Sequence, residues 1–356
     1  MVHALLTAAT ARGAAIEFVL FTGPQTSRDC LPPDHSMYRE YRCTPHSSVG
    51  RALLTIPIGI VRQGIDIFHG LDHVGLPPFF KRSKYIVTIH DIIPVLLPHT
   101  FTPRHRLIVR AALTRVCRQA DMVIVPSQAT REDILQHYRL REDRIVVIPY
   151  GCDARFRPVR DPARLSQIRL KYGLPPLYML FLGRQDPRKN VMTLLQAFAR
   201  LRRARRLDPT LCLVVAGSPA WRSPDMCRTL QHLGLENVVC FPGTIDEEDI
   251  PALYCGAVVF VFPSLYEGFG LPVLEAMRCG VPVIASNVSA IPEVAGDAAL
   301  LIDPLNVESL SEAIWQVVHD TALRQTLQEK GVMQAQRFSW EAAARQTLDL
   351  YMALGT

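Results

Sequence analysis

Short apolar runs recur along the first half of the chain at Ile16–Phe21, Ile65–His69, Tyr85–Ile89, Met122–Val125 and Ile145–Ile148. Stretches with helical spacing of apolar positions lie between them, notably Pro103–Gln119 and Ala129–Tyr138. Strands of this length alternating with helices predict βα units and a parallel sheet. The rhythm breaks at Pro149–Pro162, where Gly151 and prolines predict a linker. It restarts with strands at Tyr178–Leu182, Leu211–Ala216, Val238–Phe241, Val258–Phe262 and Val281–Ala285. Helices are predicted between them at Val191–Arg205, Pro224–Leu233, Leu271–Cys279 and Ile291–Ala295. A last helix, Trp340–Leu354, follows Ser339 as its N-cap. The pattern predicts an α/β protein with two Rossmann-like, doubly wound domains, residues 1–157 and 158–338, and a C-terminal helix over 339–356. In open sheets of this kind ligands bind at the carboxyl ends of the strands, and two facing domains make the cleft the expected site.

Composition narrows the class. The 356 residues are 49% hydrophobic and 20% charged, as in a soluble globular protein. Runs such as Ala52–Val61 and Ala257–Phe262 are too short to span a bilayer. No basic lead, apolar core and small-residue cleavage site open the chain, so no secretory signal is expected. Nine cysteines without a C-x-x-C pair predict reduced thiols in the cytoplasm, with neither a disulfide framework nor a metal site. The net charge of +6 is uneven: residues 1–157 hold 20 Lys and Arg against 13 Asp and Glu, or +7, and the remainder holds 19 against 20, or −1. Arg104, Arg106, Arg110, Arg115 and Arg118 fall on one predicted helix. They read either as a solvated face or as attraction to an anionic lipid surface or anionic acceptor. The arginines lack interleaved aromatics, which argues against nucleic acid.

The candidate chemistry lies where predicted strands end. Val258–Phe262 runs into Pro263-Ser264-Leu265-Tyr266-Glu267-Gly268-Phe269-Gly270-Leu271, and a helix starts there with Glu275 two turns on. Unpaired amides at a helix start cradle phosphate, and Gly268 and Gly270 let backbone approach it closely. Glu267 and Glu275 repel phosphate but accept hydrogen bonds from hydroxyls. Phosphate amides flanked by hydroxyl acceptors describe a sugar-nucleotide site. Tyr178–Leu182 ends in Gly183-Arg184-Gln185-Asp186-Pro187-Arg188-Lys189-Asn190, where Arg184 as a planar fork and Lys189 as a point charge suit a diphosphate. Tyr85–Ile89 ends in His90-Asp91. His90 there is either structural or a partner for a sugar hydroxyl, with Asp91 orienting it. Ser127 reads as a helix cap or a cleft residue. No G-x-S-x-G, P-loop, H-E-x-x-H or G-x-G-x-x-G motif occurs.

The Glu267…Glu275 pair, its continuation Ala276-Met277-Arg278-Cys279-Gly280-Val281-Pro282-Val283-Ile284-Ala285-Ser286, Pro292-Glu293-Val294 and the basic turn resemble the retaining glycosyltransferase family 4, the group 1 glycosyltransferases. Thr88-Ile89-His90-Asp91-Ile92-Ile93-Pro94 and Pro149-Tyr150-Gly151-Cys152-Asp153 are similar to that family too. The resemblance implies the GT-B fold, with the acceptor on the first domain and the nucleotide sugar on the second. It implies that Arg184 and Lys189 neutralise the diphosphate. The backbone of Gly268, Phe269, Gly270 and Leu271 would contact phosphate and sugar. Glu267 would bind hydroxyls of the transferred sugar, and Glu275 those of the ribose. His90 would approach the donor sugar from the other domain. No metal or other cofactor is implied. Transfer would proceed with retention, and the last helix would pack on the first domain. Base selectivity is expected around Gly243, Thr244 and Ile245.

The resemblance has a mannosyltransferase flavour, which points to GDP-mannose as donor. A glycan or lipid-linked acceptor in cell-surface polysaccharide synthesis is expected, at the inner face of the membrane. The family begins with a strand and a Gly-rich turn, whereas here Val2–Arg12 reads as the helix that follows them. The first domain is therefore expected to lack its N-terminal strand, leaving two strands without a neighbour. The alternative expectation is a truncated remnant that binds nucleotide sugar without transferring it.

Overall fold

The computed structural model describes residues 1–356 except 15, 25, 27–30, 33–34, 45–49, 73–76, 78–82, 219–223 and 356. Two compact units divide the chain. One comprises Met1–Gly151 with Ser339–Thr356, the other Cys152–Phe338. The division falls inside the Pro149–Pro162 segment, and the final helix counts with the first unit.

In the first unit β1 (Val19–Thr22) pairs in parallel with β2 (Arg39–Arg42). A separate parallel sheet holds β3 (Ile67–Gly70), β4 (Lys84–Thr88), β5 (Met122–Val125) and β6 (Ile145–Val147) in that order. Among the described residues β1 pairs with β2 alone, and β3, at one end of the larger sheet, pairs with β4 alone. The Phe21 ring of β1 meets Phe68 of β3 edge-on at 5.9 Å, and Ile56 and Ile60 share their apolar cluster. Alternation along β4 explains how the larger sheet is covered. Tyr85, Val87 and Ile89 pack with Val109, Leu113 and Val116 of the helix Pro103–Gln119. Ile86 on the other face joins Ile124, Ile148, Ala343 and Trp340, the last two from the helix Trp340–Gly355. Each fully buried Val, Leu or Ile among these contributes roughly 1.5–3 kcal/mol. The helix Val2–Ala11 lies on the final helix through Leu5, Ala9, Ala344 and Leu348.

In the second unit β7 (Tyr178–Leu182), β8 (Cys212–Ala216), β9 (Val239–Gly243), β10 (Val259–Phe262), β11 (Val283–Ser286) and β12 (Leu300–Ile302) form one parallel sheet in the order β12-β11-β10-β7-β8-β9. β10 and β11 are buried along their whole length, as strands covered on both faces must be. That is why they read as unbroken apolar runs. The edge strands β9 and β12 are more exposed. Strand order reverses between β7 and β10, so the loops leaving these neighbours diverge over a crevice at their carboxyl ends. Those loops are the basic turn and the glycine turn. β2 and β12 were not among the expected strands, and the helices Pro162–Tyr172, Ile250–Cys255, Val307–His319 and Thr321–Ala335 complete the second unit's layers. Asp249, buried in front of Ile250–Cys255, accepts from Arg164 at 2.6 Å, Lys171 at 2.6 Å and Tyr172 at 2.7 Å, which ties that helix to Pro162–Tyr172.

Candidate active site

Beyond β7 the chain makes a short turn at Pro187–Lys189 and places Asn190 in the left-handed region, φ 56°. The Asn190 side chain explains the conformation. Its amide donates to the carbonyls of Pro263 at 3.1 Å and Pro304 at 2.7 Å, and its oxygen accepts from the Thr193 hydroxyl at 2.7 Å. The Leu265 amide donates to the Arg188 carbonyl at 2.7 Å. The basic turn is thereby fastened to the end of β10.

This fastening brings two cations onto one carboxylate. Lys189 Nζ donates to Glu267 Oε1 at 2.6 Å, and Arg188 Nη1 to Oε2 at 3.1 Å. The Ser264 hydroxyl also donates to Oε1. The Glu267 amide is held by Ser289 Oγ at 2.9 Å, from a residue at φ 55°. Lys189 is buried, with its ammonium 4.6 Å from the centre of the Phe262 ring. Burial pulls the Lys189 ammonium below its ordinary range, Arg188 adds to that, and Glu267 opposes it. A carboxylate offers about four lone pairs. Among the described residues three donors meet that of Glu267, two on Oε1 and one on Oε2. Arg184, Arg188 and Lys189 outnumber Asp186 and Glu267 by one charge, an excess that favours an anion.

Arg188, rather than Arg184, stands beside Glu267; Arg184 is exposed on the turn. Arg188, Ser264 and Ser289 were not singled out in the sequence. The glycine turn is buried throughout Glu267–Gly270. Gly270 has φ 108°, and a Cβ there would lie 2.8 Å from Ile291 Cδ1, so the position demands glycine. The turn opens the helix Leu271–Arg278, and Phe269 packs edge-on against Phe338 at 5.8 Å. On that helix Glu275 accepts from the Tyr254 hydroxyl at 3.1 Å. Burial pushes the Glu275 carboxyl up to about 7, with Asp153 and Glu247 adding to the rise and Tyr254 and Arg155 opposing it. After β9, Thr244 is exposed and Ile245 buried.

His90 and Asp91 belong to the first unit, after β4. His90 is exposed, and its Nδ1 is hydrogen-bonded to the Tyr150 hydroxyl. Among the described residues Asp91 has no hydrogen bond to His90; its Oδ1 accepts from the Ile93 amide two residues ahead at 3.0 Å. Adjacency in sequence misleads here, because a short acidic side chain is drawn to the amides ahead of it. Ser127 caps the helix Gln128–His137, accepting from the Thr130 amide at 3.1 Å, and is buried.

Comparison with known proteins bears on the family and the fold. Residues 167–333 match the model of "Glycosyl transferases group 1", and residues 1–156 that of "Glycosyltransferase Family 4". The chain is 36% identical over 290 residues to O-antigen chain mannosyltransferase B of Escherichia coli, covering 81% of this chain and 74% of that protein. It is 29% identical over 285 residues to the serotype-specific mannosyltransferase WbdA of Escherichia coli, covering 79% of this chain and 35% of WbdA. Among solved structures, sucrose-phosphate synthase from Thermosynechococcus elongatus superposes with a TM-score of 0.76 at 27% identity, over 98% of this chain and 91% of that one. Anabaena HepE in complex with UDP and glucose gives 0.75 at 22% identity, over 98% and 95%. These neighbours are GT-B glycosyltransferases, and this chain belongs to glycosyltransferase family 4, the group 1 glycosyltransferases.

Proposed function

We propose that this chain is a retaining mannosyltransferase of cell-surface polysaccharide synthesis, taking mannose from GDP-mannose to a glycan or lipid-linked acceptor. The observation that carries the reading is Glu267 held between Lys189 and Arg188, at the carboxyl ends of β7 and β10. The likeness to O-antigen mannosyltransferases supports mannose and an O-antigen-type acceptor.

In this reading the diphosphate lies against the Gly268–Leu271 backbone, with Arg184, Arg188 and Lys189 supplying counter-charge in place of a resident metal. As the leaving diphosphate gains charge, fixed cations stabilise it without reorganising. Glu267 accepts a hydroxyl of the transferred sugar and so orients the anomeric carbon. Glu275 accepts ribose hydroxyls, and Thr244 and Ile245 flank the base. His90 donates to a sugar hydroxyl. Departure and attack occur on one face of the sugar.

The first unit carries the membrane part of the proposal. Among the described residues no helix is long and apolar enough to cross a membrane. The helix Pro103–Gln119 instead exposes Leu107 (71%) and Ile108 (45%) among Arg104, Arg106, Arg110 and Arg118. The helix Ile56–Arg62 exposes Ile58 and Val61. Apolar side chains ringed by arginines suit the interface of an anionic leaflet.

Thermal shift against GDP, UDP, ADP and dTDP tests the donor, and GDP is expected to stabilise most. A transfer assay on an O-antigen-type mannan acceptor, read by anomeric proton NMR, tests the chemistry. Lys189→Ala and Glu267→Gln are each expected to abolish transfer. Full transfer by either variant overturns the roles assigned, and nucleotide binding without transfer by the wild type identifies a chain that only binds the donor.

A further inference from the structure

Tyr150 is fixed more firmly than a turn residue needs to be. It follows β6, and its ring stacks on Trp340 with centroids 5.6 Å apart and planes inclined by 29°. The next residue, Gly151, lies against the start of the final helix: a Cβ there would be 2.0 Å from the Trp340 amide nitrogen and 2.4 Å from the Ser339 carbonyl carbon. That helix start is itself capped, Ser339 Oγ accepting from the Ala342 amide at 3.1 Å. Trp340 packs against the buried cluster of Ile86, Ile124, Ile148 and Ala343. The phenol therefore has a defined position, and it reaches His90 Nδ1. The two rings are 5.8 Å apart and inclined by 60°, so the contact is made by the hydroxyl and not by stacking. Burial, with Asp91 adding to it, raises the Tyr150 phenol above its ordinary range, so it keeps its proton.

We propose that Tyr150 is the positioning residue for His90: its O–H donates to Nδ1, which places the ring proton on Nε2 and turns an N–H donor toward the open side. A phenol is a stronger donor than acceptor, and a neutral imidazole carries one donor and one acceptor nitrogen. Occupying Nδ1 as the acceptor fixes the tautomer. A fixed Nε2–H suits the oxygen of a sugar hydroxyl and excludes His90 from acting as a base through that nitrogen. The functional part of the proposal rests on the reading of His90 given above; the structural part does not.

Tyr150→Phe keeps the ring on Trp340 and removes only the hydroxyl, so the test does not depend on a disruptive substitution. Imidazole nitrogen-15 NMR of the full chain, with His90 assigned by His90→Gln, is expected to show bare Nδ1 and protonated Nε2 in the wild type. In Tyr150→Phe the two tautomers should mix. A protonated Nδ1 in the wild type, or an unchanged spectrum in the variant, overturns the positioning claim. In the transfer assay Tyr150→Phe is expected to lower kcat about tenfold to a hundredfold with little change in donor KM, as for a misplaced active-site group. The loss should vanish in a His90→Gln background, where the two effects share one cause. Losses that multiply instead would show that Tyr150 acts on transfer by another route. A fully active His90→Gln enzyme would refute the role of His90, while the NMR result still decides the tautomer.

Discussion

Protonation of Glu275 should control donor binding near neutral pH. The carboxyl is raised from 4.5 to about 7 by burial, with Tyr254, Arg155, Asp153, Glu247 and the Cys152 and Cys279 thiols as its titratable or charged surroundings. A carboxylate accepts both ribose hydroxyls, whereas the acid form must spend its own proton and accepts weakly. With a titration near 7 the ionised fraction falls from about nine-tenths at pH 8 to about one-tenth at pH 6. Apparent affinity scales with the competent fraction, so Kd should rise about tenfold, or about 1.4 kcal/mol. The assay is calorimetry with GDP-mannose, whose diphosphate has no ionisation in this window, at pH 6, 7 and 8 in two buffers. Binding at pH 6 should release a proton. The sign for stability is separate: a folded-state value above the unfolded one gives stability that is fully present below about 4.5 and lost as pH rises through about 7. That loss is about 3 kcal/mol in the unliganded protein. Glu275→Gln should flatten both profiles. A Kd unchanged between pH 6 and 8, or the same slope in Glu275→Gln, would refute the reasoning.

Three further outcomes test other parts of the structure. Asp249→Ala removes the buried acceptor of Arg164, Lys171 and Tyr172, but both cations are partly exposed and can rehydrate. The loss should therefore sit near about 2–3 kcal/mol, below the range for a stranded buried charge; an unchanged urea midpoint would contradict it. Gly151→Ala meets backbone at 2.0 Å, which no rotamer can relieve. It should cost about 3 kcal/mol or more by thermal melt, with an unchanged melting temperature as the contrary result. Leu107→Asp with Ile108→Asp, on exposed positions, should leave stability alone and weaken sedimentation with phosphatidylglycerol vesicles at least tenfold; equal sedimentation would remove this helix from the membrane reading.

Ten of the twelve described strands were legible because each is an apolar run of strand length with helical spacing around it. β2 was not, because Arg39-Glu40-Tyr41-Arg42 is a polar edge strand with little buried surface. β12 is three residues long at the other sheet's edge, too short to carry a pattern. The helix Pro162–Tyr172 begins at the last proline of the expected linker, where Pro at the first helical position and Asp161 as cap mark a start rather than a break. In the site, Glu267, Lys189 and Glu275 were visible as charges beside turns. Arg188 was passed over because nothing in the string of residues says which way a turn faces. That is set by Asn190, whose left-handed backbone and bonds to Pro263 and Pro304 aim the preceding cations at Glu267. His90 and Tyr150 are 60 residues apart and meet only through the sheet, so spacing could not pair them.

The final helix gives this unit more than a cover for its sheet. At its start Trp340 backs Tyr150, whose hydroxyl holds His90 at the end of β4. Near its end the Tyr351 hydroxyl lies 2.6 Å from Nδ1 of His69 on β3, and His69 Nε2 lies 2.8 Å from the Thr88 hydroxyl at the end of β4. Burial, with His90 nearby, drops His69 to about 4, so this second chain stays uncharged at neutral pH and does not compete for a proton there. Two aromatic–histidine chains thus run from one helix to the ends of adjacent strands. The helix Val2–Ala11 packs on the same element through Leu5, Ala9, Ala344 and Leu348. Its apolar contacts therefore stabilise the final helix, and through it the hydroxyl that sets the His90 ring. A change at the first helix can reach His90 without touching it, by loosening the element on which both depend.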